Sequence, residues 1–145
     1  MATVISATTK FAGRPSGAAG RKQSYLNSAY HLMNDARNHI FHGKVDAAVE
    51  SAYQAALRCA GARVADSPLA KRKRLPSSAW DRLAMVGVAE KEWADKFRGY
   101  SRMRSRLLSG LTVDVDAAKA RELMALTAAF IDEVDHAGGA ADFAA

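Results

Sequence analysis

The 145-residue chain is predicted to fold as an all-α bundle of about five helices built on a long antiparallel helical hairpin. Three observations predict it. Apolar residues recur at three- and four-residue spacing in every long segment, and no stretch alternates with the period of two that marks a strand. Alanine, which loses least on entering a helix, is very frequent, and only three prolines interrupt the chain, Pro15, Pro68 and Pro76. The stretch Ser24 to Asp66 reads as two helices separated only by HGK, a link so short that the second must fold back on the first.

The domain is expected over residues 23–137, between a disordered basic tail (1–22) and a frayed C-terminal tail (138–145). The tail residues 1–22 are rich in Thr, Ser, Gly and Ala and lack helical periodicity. The first helix starts near Ser24. Leu26, Ala29, Tyr30, Met33, Ala36 and Ile40 form its apolar face, and Gly43 ends it by supplying a left-handed conformation. The second runs from about Asp46 to Ala65, with Val49, Ala52, Tyr53, Ala56, Leu57, Ala60 and Val64 inward. Ser67-Pro68 breaks it. The basic loop AKRKRLPSS follows, and Ser78 caps a short third helix whose Trp80, Leu83 and Met85/Val86 face the core.

A fourth helix is expected from Ala89 to Ser109, with Trp93, Phe97, Tyr100, Met103 and Leu107 inward, ended by Gly110. Asp116 caps a fifth, lined by Leu123, Leu126, Phe130, Ile131 and Val134 and ended at Gly138-Gly139.

Charge is unevenly spread within the net +6. Residues 1–22 carry four bases and no acid. Residues 23–66 balance, 67–110 hold eleven bases against four acids, and 111–145 hold two bases against seven acids. A basic middle and an acidic C-terminal helix suit nucleic-acid contact, or a basic surface of one subunit meeting an acidic one of another. No apolar run approaches the roughly 20 residues of a membrane span, and the N-terminus has no apolar core of secretory type. The single Cys59 excludes an intramolecular disulfide and reads as packed interior. A cytoplasmic protein without membrane association or cofactor is expected.

Four pieces of sequence carry a family resemblance: AYQAALRCAGARVA on the second helix, SAWDRLA, EWADKFRGYSRMRSRLLSG and VDAAKARELMALTAAFIDEV. In this order and spacing they resemble the actinobacterial SAV_6107-like HEPN family, within the HEPN superfamily of small helical-bundle domains, over about residues 24–136. The resemblance implies a helical bundle, a homodimer, and RNA as a ligand. It also implies an enzymatic alternative, because many HEPN proteins are metal-independent ribonucleases with a motif of arginine, a polar residue and a following histidine. The histidine would move a proton at the ribose hydroxyl or leaving oxygen, and the arginine would stabilise charge on the phosphate.

Arg37-Asn38-His39-Ile40-Phe41-His42 matches that motif in letters but lies at the end of the first helix. In the family the motif follows the first hairpin. The equivalent stretch here, GYSRMRSRLLSG, supplies Arg102, Arg104 and Arg106 but no histidine. A catalytically inert member is therefore expected, with Arg37 and His42 as cations near the helix's negative pole. His31, Asp35 and His39, at i, i+4 and i+8, line one face on which the imidazoles could bind zinc and the carboxylate orient them, but they complete no known metal motif and read as an exposed polar face.

The expected nucleic-acid contacts are the loop Lys71, Arg72, Lys73 and Arg74 and the stripe Arg98, Arg102 and Arg106, with Arg104 to one side. Guanidinium groups fit phosphate geometry, and Tyr100 and Trp80 could stack on exposed bases. The plainer reading places those charges on a solvated surface and both aromatics in the core. A helix-turn-helix over SAWDRLAMVGVAEKEWADKFRGY is a minor alternative, weakened by the wide apolar stripe of its second helix. A module that binds only protein partners is the remaining alternative.

Overall fold

A computed structural model describes residues 17–110 and 115–144. Its element order is α1 (Gly17–Phe41), α2 (Val45–Ala65), a 3-10 turn (Pro68–Lys71), α3 (Ala79–Ala84), α4 (Val88–Leu108) and α5 (Ala117–Ala144). No strand occurs among the described residues. The predicted all-α hairpin bundle is what forms.

α2 is the hub. It packs along α1 as the second arm of the hairpin and also meets the 3-10 turn, α3, α4 and α5. Its composition explains this. Ala48, Ala52, Ala55, Ala56 and Ala62 are fully buried, and their small side chains let neighbours approach from several sides. The hairpin closes through Gly43 at φ +73°, a value that costs glycine little. The amides of Gly43 and Lys44 then bond back to the carbonyls of Ile40 and His39.

Three side chains tie down helix starts. Ser67 Oγ accepts from the Leu69 amide at 3.3 Å. Ser78 Oγ accepts from the Asp81 amide at 3.4 Å, and Asp116 Oδ1 accepts from the Lys119 amide at 2.8 Å. The last two are the expected caps, each satisfying an N-terminal amide that has no partner within its helix.

The centre of the core is aromatic. Trp80 of α3 stacks on Phe97 of α4, centroids 4.9 Å apart and rings 9° from parallel. Phe130 of α5 lies 5.3 Å from Phe97 and 5.0 Å from Trp93. Tyr53 of α2 meets the Trp80 ring edge-on at 5.9 Å. Thr127 is fully buried and donates from its hydroxyl to the Ala52 carbonyl, which joins α5 to α2. Cys59 is wholly buried on α2, where loss of solvent pushes its thiol pKa strongly upward.

The structure corrects four boundary or facing expectations. α1 starts at Gly17, seven residues before Ser24, so the predicted tail is helical over residues 17–22. A long-range ion pair anchors this extension, Lys22 Nζ to Asp66 Oδ2 at 3.0 Å. Residues 1–16 of that tail lie outside the described residues. α5 continues through Gly138-Gly139 to Ala144 rather than fraying at residue 138. Glycine disfavours a helix interior by only about 1 kcal/mol, and the surrounding alanines favour one. α3 stops at Ala84, leaving Met85 43% exposed. Tyr30 leans outward and donates to Asp135 Oδ2 at 2.6 Å.

Candidate nucleic-acid interface

The basic residues divide into a committed set and a free set. Arg98 is committed. One guanidinium nitrogen donates to Asp81 Oδ1 and another to Asp95 Oδ1, each at 2.6 Å. The bond to Asp81 is the main reason its pKa is raised. Arg104 is committed as well. Its Nε donates to Glu50 Oε2 at 2.9 Å and its Nη2 to Glu50 Oε1 at 2.9 Å, while its guanidinium carbon sits 5.0 Å from the Tyr53 ring centroid. Burial pushes the Glu50 carboxyl upward, but bonds from Arg104 and Gln54 outweigh it and hold the pKa below its ordinary value.

Arg102 and Arg106 are exposed and make no ion pair among the described residues. The register of α4 explains the difference. With Ala94, Phe97 and Tyr100 turned inward, Arg102 and Arg106 fall on the outer face, whereas Arg104 reaches back to α2. The expected stripe is therefore broken, since Arg98, one of its three arginines, is already bound to carboxylates of this chain, as is Arg104 beside it.

The loop keeps all its charge. Lys71, Arg72, Lys73 and Arg74 are exposed, with no side-chain ion pair among the described residues. Its two ends are held. Ser67 caps the 3-10 turn that leads in. Arg82 closes the exit by donating from Nε to the Pro76 carbonyl and from Nη2 to the Ser77 carbonyl. Sequence reading passed over Arg82. The available signal was an arginine four residues after the capping Ser78, facing back toward the loop. Asp81, three residues after that serine, reaches Arg98, one turn from Arg102. The exit of the loop thus lies beside the middle of α4.

Trp80 and Tyr100 are not available for base stacking. They are 5% and 9% exposed, and each side-chain donor is used internally, Trp80 on Tyr53 and Tyr100 on Glu122. α4 of the helix-turn-helix alternative likewise turns its central residues inward, with Ala94 and Phe97 fully buried.

Arg37 and His42 each bond to a residue of their own segment. Arg37 donates to Asn34 Oδ1 at 2.9 Å and lines a shallow 140 Å³ groove between α1 and α5 with Tyr30 and Asp132. His42 lies past the helix end, its Nδ1 2.8 Å from the Asn38 carbonyl and its ring edge-on to Phe41. No hydrogen bond joins Arg37 to His42 among the described residues. His31 and Asp35 are exposed and His39 half-buried, and no group of three or more His, Cys, Asp or Glu able to hold a metal ion occurs among the described residues.

A hairpin-based helical bundle with a central alanine-rich helix defines a class of small helical domains. The family model of the SAV_6107-like HEPN domain matches residues 44–135, more than half of the chain. The chain belongs to that family. The match begins at the turn before α2, so Arg37 and His42 fall outside it, while the loop and all of α4 fall within it. Neither the curated proteins nor the solved structures contain a match. No described helix is long and apolar enough to cross a membrane.

Proposed function

We propose that this HEPN domain binds RNA or another nucleic acid without cleaving it, and works as a homodimer. The observation that carries the reading is the loop Lys71–Arg74. It presents four consecutive cationic side chains to solvent with no ion pair among the described residues, in a chain that neutralises Lys22, Arg63, Arg98 and Arg104 internally. Arg102 and Arg106 extend the charge along α4. Phosphate oxygens are the partners that such groups suit, and each contact releases counterions. Arg37 and His42 each bond to a neighbour on their own segment rather than to each other, and both lie outside the family match, which favours binding over cleavage. The bare side chains of Phe41 and Leu108, 84% and 61% exposed, favour burial against a second copy.

The test is a salt titration of binding to mixed-sequence single-stranded RNA, read on a gel that also shows cleavage. Expected is tight binding that fades with salt while the RNA stays intact. Replacing Lys71, Arg72, Lys73 and Arg74 by Gln should lower affinity about tenfold or more and flatten the salt slope by about 0.7 per lost contact. No binding at low salt would overturn the reading and leave a protein-interaction module. Cleavage that disappears in His42→Ala would establish the ribonuclease instead. Sedimentation equilibrium tests the dimer.

A further inference from the structure

A second basic feature lies apart from the exposed stripe. The N-terminal part of α1, the C-terminal half of α2, the 3-10 turn and the start of α3 line a half-open cavity of about 420 Å³. That is within the range of about 300–1,000 Å³ usual for small-molecule sites. Arg21, Arg58 and Arg82 line it, and no Asp or Glu does. Arg21 and Arg58 form no ion pair among the described residues. Arg82 bonds only to neutral carbonyls, so its charge is uncompensated too. The acids nearest in sequence to Arg58 and Arg82 are drawn elsewhere, Glu50 to Arg104, Asp66 to Lys22 and Asp81 to Arg98.

Apart from Gln54, which donates to Glu50, the rest of the wall is mostly apolar. The Tyr25 ring lies directly over Gly61, where an added Cβ would come within 2.8 Å of it. Glycine here lets the ring approach α2 closely and form one side of the cavity, with Leu57 of α2 beside it. Ala70 and Ala79, at either end of the basic loop, form the opposite rim. Apolar walls and three cations with no lining acid are the features of a site for an amphiphilic anion.

We propose that this cavity binds a small organic anion, a phosphate monoester or carboxylate with a flat apolar body, whose charged group sits among Arg58, Arg21 and Arg82 while the body lies against Tyr25 and Leu57. Both halves of the ligand are needed. The arginines supply charge-assisted hydrogen bonds, and the walls supply burial of apolar area. The site is independent of the nucleic-acid reading, because none of the proposed strand contacts lines it.

Titration calorimetry with three probes tests it: naphthyl phosphate, naphthol and inorganic phosphate. Naphthyl phosphate should bind saturably, and each half-probe should bind about tenfold more weakly or worse. Arg58→Gln should weaken naphthyl phosphate about tenfold, and Ala70→Trp, which fills the rim, should block it. A thermal melt of each variant verifies folding, and the salt slope for RNA should stay unchanged in Arg58→Gln. Absence of saturable binding, or equal binding by wild type, Arg58→Gln and Ala70→Trp, overturns the proposal. Naphthol binding as tightly as naphthyl phosphate also overturns it, because the arginines would then recognise nothing. A carboxylate arm with naphthoate distinguishes the two anion types and supports the site if either binds in an Arg58-dependent way.

Discussion

Trp80 Nε1 donates a hydrogen bond to Tyr53 Oη at 2.6 Å, joining α3 to α2 inside the aromatic core. The two residues are 5% and 3% exposed, so neither polar atom has ready access to water. Tyr53→Phe should leave the indole N–H without its acceptor and cost about 1–3 kcal/mol. Urea unfolding should show a lower midpoint at an unchanged slope, the mark of lost stability in an intact fold. An unchanged midpoint would show that the bond contributes nothing net.

Arg104 and Glu50 form the second tie, α4 to α2, across 54 residues of sequence. Two parallel bonds and the contact with Tyr53 make this more than an ordinary surface pair. Arg104→Ala should destabilise by about 1–2 kcal/mol, discounted because Glu50 is one-third exposed. A double-mutant cycle with Glu50→Gln should return a coupling of about 1 kcal/mol. Glu50 has a lowered pKa, so its contribution is present above the unfolded-state pKa of 4.5 and lost as pH falls through the folded value. Arg104→Ala should therefore flatten the acid limb of the stability curve.

Tyr30 and Tyr100 predict an alkaline effect of the opposite sign. The hydrogen bond to Asp135 is the main cause that pushes Tyr30 up to about 12. Burial, then the bond to Glu122, pushes Tyr100 up to about 12. The folded protein holds these protons more tightly than the unfolded chain, whose value is 10.0. Their stabilisation is fully present below that unfolded pKa and is lost as pH rises toward 12. Melting temperature should fall more steeply across this window in wild type than in the Tyr30→Phe, Tyr100→Phe double variant. Parallel curves would contradict the prediction.

Arg98 is a cation held back from solvent partners by Asp81 and Asp95. Asp81→Asn with Asp95→Asn should release it beside Arg102. Under the proposed nucleic-acid function, RNA affinity should then rise several-fold and the salt slope should steepen by about 0.7, one phosphate contact. Filter binding across a salt series checks this. An unchanged slope would place Arg98 away from the bound strand.

The fold was legible because its signals are local. Leu26, Ala29, Met33 and Ala36 repeat with the helical period, and all four are buried. Gly43 and Gly110 adopt the left-handed angles expected of helix-ending glycines. The early start of α1 was illegible because Lys22 finds its partner at Asp66, 44 residues away. The basic stripe misled for the same reason. A sequence shows that Arg98 and Arg104 are charged, but only the fold brings Asp81 and Glu50 to them. The acidic character of α5 is similarly reinterpreted, since Glu122, Glu133 and Asp135 accept from Tyr100, Trp93 and Tyr30. Those acids each hold a hydrogen bond to another helix of the same copy.

Cys59 makes the molecule its own stopwatch. It is the only thiol in the chain, and it is sealed in the helix that every other helix leans on. A thiol reagent can reach it only when a neighbouring helix moves off α2, so the rate of labelling under native conditions counts such openings. Each variant above can be timed in this way without adding a probe.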